Sequence, residues 1–158
     1  MRTVTSAICL LLLSVAPAAP AAASSRVPAD PGVVAEWNAI AVTTLAGDTT
    51  KSPLETGLYL GFMHAAVYNA VVGIEGRYTP YRFHARAPRH ASSQAAAVAA
   101  AHKVLVTYSP SARAVLDAAY ADSLARVPDG RAESRGVAFG ELAADVLIAQ
   151  RVGDGRNA

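Results

Sequence analysis

Between Glu55 and Glu75 the chain runs through nineteen residues, 56 to 74, without a formal charge. In a helix, Leu58, Tyr59, Leu60, Phe62, Met63 and Val67 put apolar side chains on every side of this stretch. A helix that is apolar all round is buried, either in a protein core or in a bilayer. The length alone suits a membrane span. Gly57, Gly61, His64, Asn69 and Gly73, however, make a poor lipid-facing surface, so the stretch reads as a core helix. Gly57, Gly61, His64 and Tyr68 fall on one face. The glycines are expected to admit a second backbone, and His64 and Tyr68 to find polar partners once buried.

No segment alternates apolar and polar residues over the length of a strand, so the predicted fold is all-α, with about five helices in a bundle-like array. Val34, Trp37, Ala41 and Leu45 recur at helical spacing, and Gly47 ends that first helix. Ser52 caps the second, Pro53 fits its first turn, and Gly73 and Gly76 stop it after Val72. Residues 77 to 90 read as an irregular stretch containing Pro80 and Pro88. Ser92 or Ser93 caps an alanine-rich segment that reaches Tyr108, and Ser109-Pro110 repeats the serine-proline start. Leu116, Tyr120 and Leu124 form a stripe, and Pro128-Asp129-Gly130 makes a turn. The last helix runs from about Ala132 to Arg151, with Val137, Gly140, Ala144 and Leu147 on one face. Gly136 and Gly140, four apart, mark close helix packing. Alanine supplies 36 of the 158 residues, which also favours helices packed at short range. That length makes one domain.

Residues 1 to 23 have the pattern of a secretory signal peptide: Arg2, an apolar core from Val4 to Val15, a Pro17 to Pro20 break, and small residues up to Ala23. The core is too short to span a bilayer. Residues 24 to 32 then form a flexible arm, 33 to 155 the helical domain and 156 to 158 a tail. Cleavage removes Cys9, which leaves no thiol. The expected location is secreted or extracytoplasmic, with no membrane span after cleavage.

The net charge of +2 gives no electrostatic reason to bind nucleic acid. The charge is unevenly spread. From Gly76 to Leu116 there is no acidic residue, while Arg77, Arg82, Arg86, Arg89, Lys103 and Arg113 are all basic. Four of these arginines share the irregular stretch with Tyr78, Tyr81, Phe83, His84 and His90. Guanidinium forks match phosphate oxygens, so the cluster reads as an anion site for phosphate or an acidic lipid headgroup. The competing readings are a solvated loop and internal pairing with the seven acidic residues from Asp117 onward.

Other chemistries lack their residues. His64, His84, His90 and His102 are scattered, without metal-ligand spacing. No phosphate-binding glycine loop and no Gly-x-Ser-x-Gly elbow occurs. No catalytic, cofactor-binding or metal-binding residue is assigned. His64 weighs as a hydrogen-bonded core histidine against a catalytic base or a ligand.

Three stretches carry a family resemblance. The first is Val34-Ala35-Glu36-Trp37-Asn38. The second runs from Leu60-Gly61-Phe62-Met63-His64 through Tyr68-Asn69-Ala70-Val71 to Tyr78-Thr79-Pro80-Tyr81. The third runs from Gln94 through Ala101-His102-Lys103-Val104-Leu105 to Tyr108-Ser109-Pro110. Leu116-Asp117, Ser123-Leu124 and Arg151-Val152-Gly153-Asp154-Gly155 follow. Their order resembles the N-terminal helical half of bacterial secreted proteins related to vanadium-dependent haloperoxidases, within the type 2 phosphatidic acid phosphatase superfamily. The match covers roughly Val33 to Gly155. It implies an incomplete half of a larger helical fold.

The family's vanadate or phosphate site has three signatures in its C-terminal half. They are a Lys with Arg-Pro seven residues on, a Pro-Ser-Gly-His, and a Ser-Arg followed by Gly-x-His and an Asp. Here Lys51 is followed at that distance by Leu58-Tyr59, Pro110-Ser111 continues as Ala112-Arg113, and no histidine follows a glycine. No catalytic residue carries over. Two function classes result. One is the N-terminal helical portion of a haloperoxidase-like or acid-phosphatase-like protein, inactive alone, partnered by its C-terminal half or by itself. The other is a free-standing secreted helical module that binds a partner or an anionic lipid.

Overall fold

A computed structural model describes residues 29 to 155. The expected signal peptide and its cleavage after Ala23, residues 24 to 28 of the arm, and the tail lie outside the described residues. Five α-helices follow one another: α1 (Gly32–Gly47), α2 (Pro53–Glu75), α3 (Ser93–Tyr108), α4 (Arg113–Leu124) and α5 (Arg131–Gln150). A 3-10 turn, Pro110–Ala112, leads into α4, and the described residues contain no strand.

Local chemistry sets the helix starts. Ser52 and Glu55 form a capping box at α2. Glu55 N–H donates to Ser52 Oγ (3.2 Å) and Ser52 N–H donates to Glu55 Oε2 (2.8 Å), with Pro53 in the first turn. Ser92 caps α3, accepting from Ala95 N–H at 3.2 Å. The third expected cap is corrected. The Ser109 side chain caps no helix; it is fully buried and its hydroxyl has no partner among the described residues. Pro110 begins the 3-10 turn, and Ala112 occupies the cap position of α4. The expected end of α2 is corrected as well. Gly73 stays helical, and the helix runs to Glu75 before Gly76 stops it with a left-handed backbone (φ 68°). The missing Cβ of Gly73 makes room for the ring of Phe139, whose Cε1 would otherwise lie 2.8 Å away.

The helix buried on all sides is α3, not α2. Ala95 to Ala101 and Val104 to Val106 are all buried, and α1, α2, α4 and α5 pack around them. Alanine makes this arrangement feasible, because a methyl side chain lets neighbouring backbones come close. The closest approach is to α5. A Cβ on Gly140 would sit 2.9 Å from Ala96 Cα and closer still to its carbonyl oxygen, and one on Gly136 would strike Ser92. The expected close-packing role of these two glycines therefore holds. The buried face of α5 is centred on Gly136, Phe139, Gly140, Ala143, Ala144 and Leu147, and Val137 lies half-buried at its edge.

Asp48 shapes the α1–α2 connection. Its carboxylate takes the Lys51 ammonium and accepts from Thr50 N–H at 3.1 Å. The Lys51 bond foremost, then the Thr50 bonds, hold its carboxyl at about 2 instead of 3.8. A depressed carboxyl stabilises the turn fully above 3.8, and that contribution is lost as pH falls through about 2. An NMR titration of the Asp48 carboxyl should find the low midpoint. A midpoint at the ordinary value would contradict the pairing.

Candidate functional site

The structure separates the residues singled out from the sequence into three places. The first is the outer face of α1 and α2. His64 Nε2 lies 2.9 Å from Asn38 Oδ1, which joins the row Val34, Asn38 and Val42 on α1 to the row Gly57, Gly61, His64 and Tyr68 on α2. Tyr68 OH donates to Thr79 O at 3.0 Å. Both side chains find the polar partners expected of them, but the expected backbone neighbour is missing. Nothing lies within 4 Å of a Cβ built on Gly57 or Gly61. The face is open, and Leu54 (84% exposed), Leu58, Tyr68, Val34 and Val42 show apolar surface on it. By length and composition α2 is the one described helix that passes for a membrane span, yet Tyr59, Phe62, Met63, Ala66, Val67 and Ala70 are buried in the protein core.

The second place is a pairing that sequence reasoning missed. His102 Nε2 donates to Asp117 Oδ1 at 2.7 Å, and the imidazole stacks on Tyr120 with ring centroids 4.4 Å apart. Trp37 lies edge-on to His102 at 6.3 Å and donates through Nε1 to Ser123 Oγ at 3.2 Å. Burial, then the carboxylates of Glu141 and Glu133, push the Tyr120 hydroxyl above its ordinary pKa. The geometry of this His–Asp pair is that of a clamp between α3, α4 and α1. Fifteen residues separate the two partners, so no local motif could have revealed them.

The third place is a cleft of about 1250 Å³ between the end of α2, the 77–92 loop, the start of α3 and the turn before α5. Arg77, Arg86, Arg89 and His90 line it. Arg82, Lys103 and Arg113 do not, and Lys103 pairs with Asp145 at 3.1 Å. The internal pairing weighed for the loop arginines does not occur among the described residues, where the ion pairs belong to Lys51, His102, Lys103 and Arg126.

The oxyanion site of the resembled family needs Lys, Arg and His donors converging on one point. Both lysines are engaged with carboxylates, and His64 and His102 are tied to Asn38 and Asp117 in different places. His84 is exposed on the loop away from the cleft, and His90 makes no side-chain hydrogen bond among the described residues. The described residues do not bring all three donor types together: Arg77, Arg86, Arg89 and His90 share the cleft without a lysine. No three His, Cys, Asp or Glu side chains among the described residues are grouped to hold a metal ion. No family model, curated protein or solved structure matches this chain.

Proposed function

We propose that this chain is a secreted helical packing module without catalytic machinery of its own. In this reading it is the N-terminal helical portion of a haloperoxidase-like or acid-phosphatase-like protein, and its α1–α2 face docks a further helical segment of that protein. The observation that carries the reading is the open face itself. Gly57 and Gly61 lie in the N-terminal half of an apolar helix with nothing against them, although glycine weakens a helix interior by roughly 0.5–1 kcal/mol. Glycine at such positions has a use when another backbone packs there. The order of the Trp37-Asn38, Leu60 to Val71 and Gln94 to Leu105 stretches supports the same reading.

The module alone should neither oxidise bromide with peroxide and vanadate nor hydrolyse a phosphate monoester. Positive charge can attract an oxyanion, but turnover also needs attack and proton transfer in a fixed geometry. Vanadate-dependent turnover that disappears in His64→Ala would overturn this and make His64 a catalytic residue. Sequencing the DNA beyond the Ala158 codon tests the parent protein. A continuation encoding Pro-Ser-Gly-His supports the proposal. An unrelated gene directly after a stop codon favours a free-standing module.

A further inference from the structure

The 77–92 loop is held by its backbone while its cations stay free. Asn69 Nδ2 donates to Tyr81 O (3.0 Å), and Asn69 Oδ1 accepts from Tyr81 N–H (2.7 Å). Gln150 Nε2 donates to Arg82 O at 2.8 Å, Arg135 Nη1 to Arg89 O at 2.9 Å, and Ser92 N–H to Ala132 O at 2.8 Å. Phe83 anchors the middle of the loop by packing its ring 5.4 Å from that of Phe139. The loop also holds two non-glycine residues, Arg82 and His90, at positive φ (49° and 59°), a conformation that such residues keep only when their surroundings impose it. Side chains of α2 and α5 thus fix the path of the loop.

Nothing comparable neutralises its guanidinium groups. Arg77, Arg86 and Arg89 are exposed on one cleft and form no ion pair among the described residues. Glu75, the one carboxylate among the described residues that line the cleft, accepts from Ser93 Oγ at 3.0 Å. Three exposed cations lining one cleft repel one another weakly through solvent, and an anion bound among them turns that repulsion into attraction. A guanidinium offers paired N–H donors that match two phosphate oxygens, and three of them lining one cleft favour a multiply charged group. We propose that this cleft is a binding site for a phosphate-bearing anion, held by Arg77, Arg86 and Arg89. The site is separate from the α1–α2 face and does not depend on what docks there.

The test uses the chain from Ser24 onward, the form expected after export, and two probes. Calorimetry with inorganic phosphate reads a soluble anion. Co-sedimentation with phosphatidylcholine vesicles, with and without phosphatidic acid, reads a lipid headgroup. Binding of phosphate, or of vesicles only when they carry phosphatidic acid, supports the site, and the probe that binds identifies the source. The Arg86→Gln/Arg89→Gln variant should bind at least about tenfold more weakly. Arg82→Gln, on the same loop but off the cleft, should bind as the unaltered chain does. All three positions are exposed, so the variants should keep the helical circular dichroism of the parent chain. Failure of both probes to bind, or an equal loss in Arg82→Gln, would overturn the proposal.

Discussion

Replacing Gly140 with leucine should lower the unfolding free energy by roughly 3 kcal/mol or more, at the severe end of what overpacking costs. The reason is what the new side chain would meet. Ala96 backbone atoms already occupy the space of a Cβ, and backbone in the middle of α3 cannot swing aside as a side-chain tip can. α3 must move off α5, which uncovers the contact between the helix at the centre of the core and its closest neighbour. Gly61→Ala is the counterpart. A methyl group there meets nothing within 4 Å, so helix propensity alone should raise the stability of the dilute chain by about 0.5–1 kcal/mol. Urea unfolding followed by the emission of Trp37, the single tryptophan and 1% exposed, reads both variants. Equal midpoints for Gly140→Leu and the unaltered chain would contradict the close α3–α5 contact.

These two glycines also show where sequence reasoning succeeds and where it stops. The Gly136 and Gly140 pair and the Gly57 and Gly61 pair have the same spacing, and both read as close-packing sites. One pair lies against α3 and the other faces outward. Spacing states that a backbone can approach, whereas its arrival depends on the path of the whole chain. Helix starts were legible where the signal is local, as at Ser52 with Pro53 and at Ser92. Ser109-Pro110 carries the same local signal but is overridden, because Ser109 is drawn into the core. The burial on every side expected of α2 belongs to α3 for a related reason. Bulk in α2 suggested the core, yet alanine in α3 is what lets four helices meet. In the arginine cleft the cations were legible as a run without acids. The side chains that tether the loop, Asn69, Arg135 and Gln150, lie up to sixty-eight residues away along the chain.

The chain beginning at Ser24 should self-associate and bind an apolar dye. Leu54, Leu58, Tyr68, Val34 and Val42 join the two open glycines in an apolar face, and water contact with such a face is unfavourable by about 25 cal/mol per Å². With no other helix present, a second copy is the occupant at hand. Charge placed on the face should prevent this without harming the fold, because Leu54 and Leu58 are exposed in the single chain. The Leu54→Glu/Leu58→Glu variant should therefore keep its circular dichroism while its self-association weakens by about tenfold or more. The dye signal should fall with it.

Sedimentation velocity over a concentration series, with the unaltered chain beside Leu54→Glu/Leu58→Glu, tests the α1–α2 docking face most directly. The expected result is a sedimentation coefficient that rises with concentration for the unaltered chain and stays monomeric for the variant. A monomer at every concentration, with no dye bound, would contradict the docking face and favour a free-standing module.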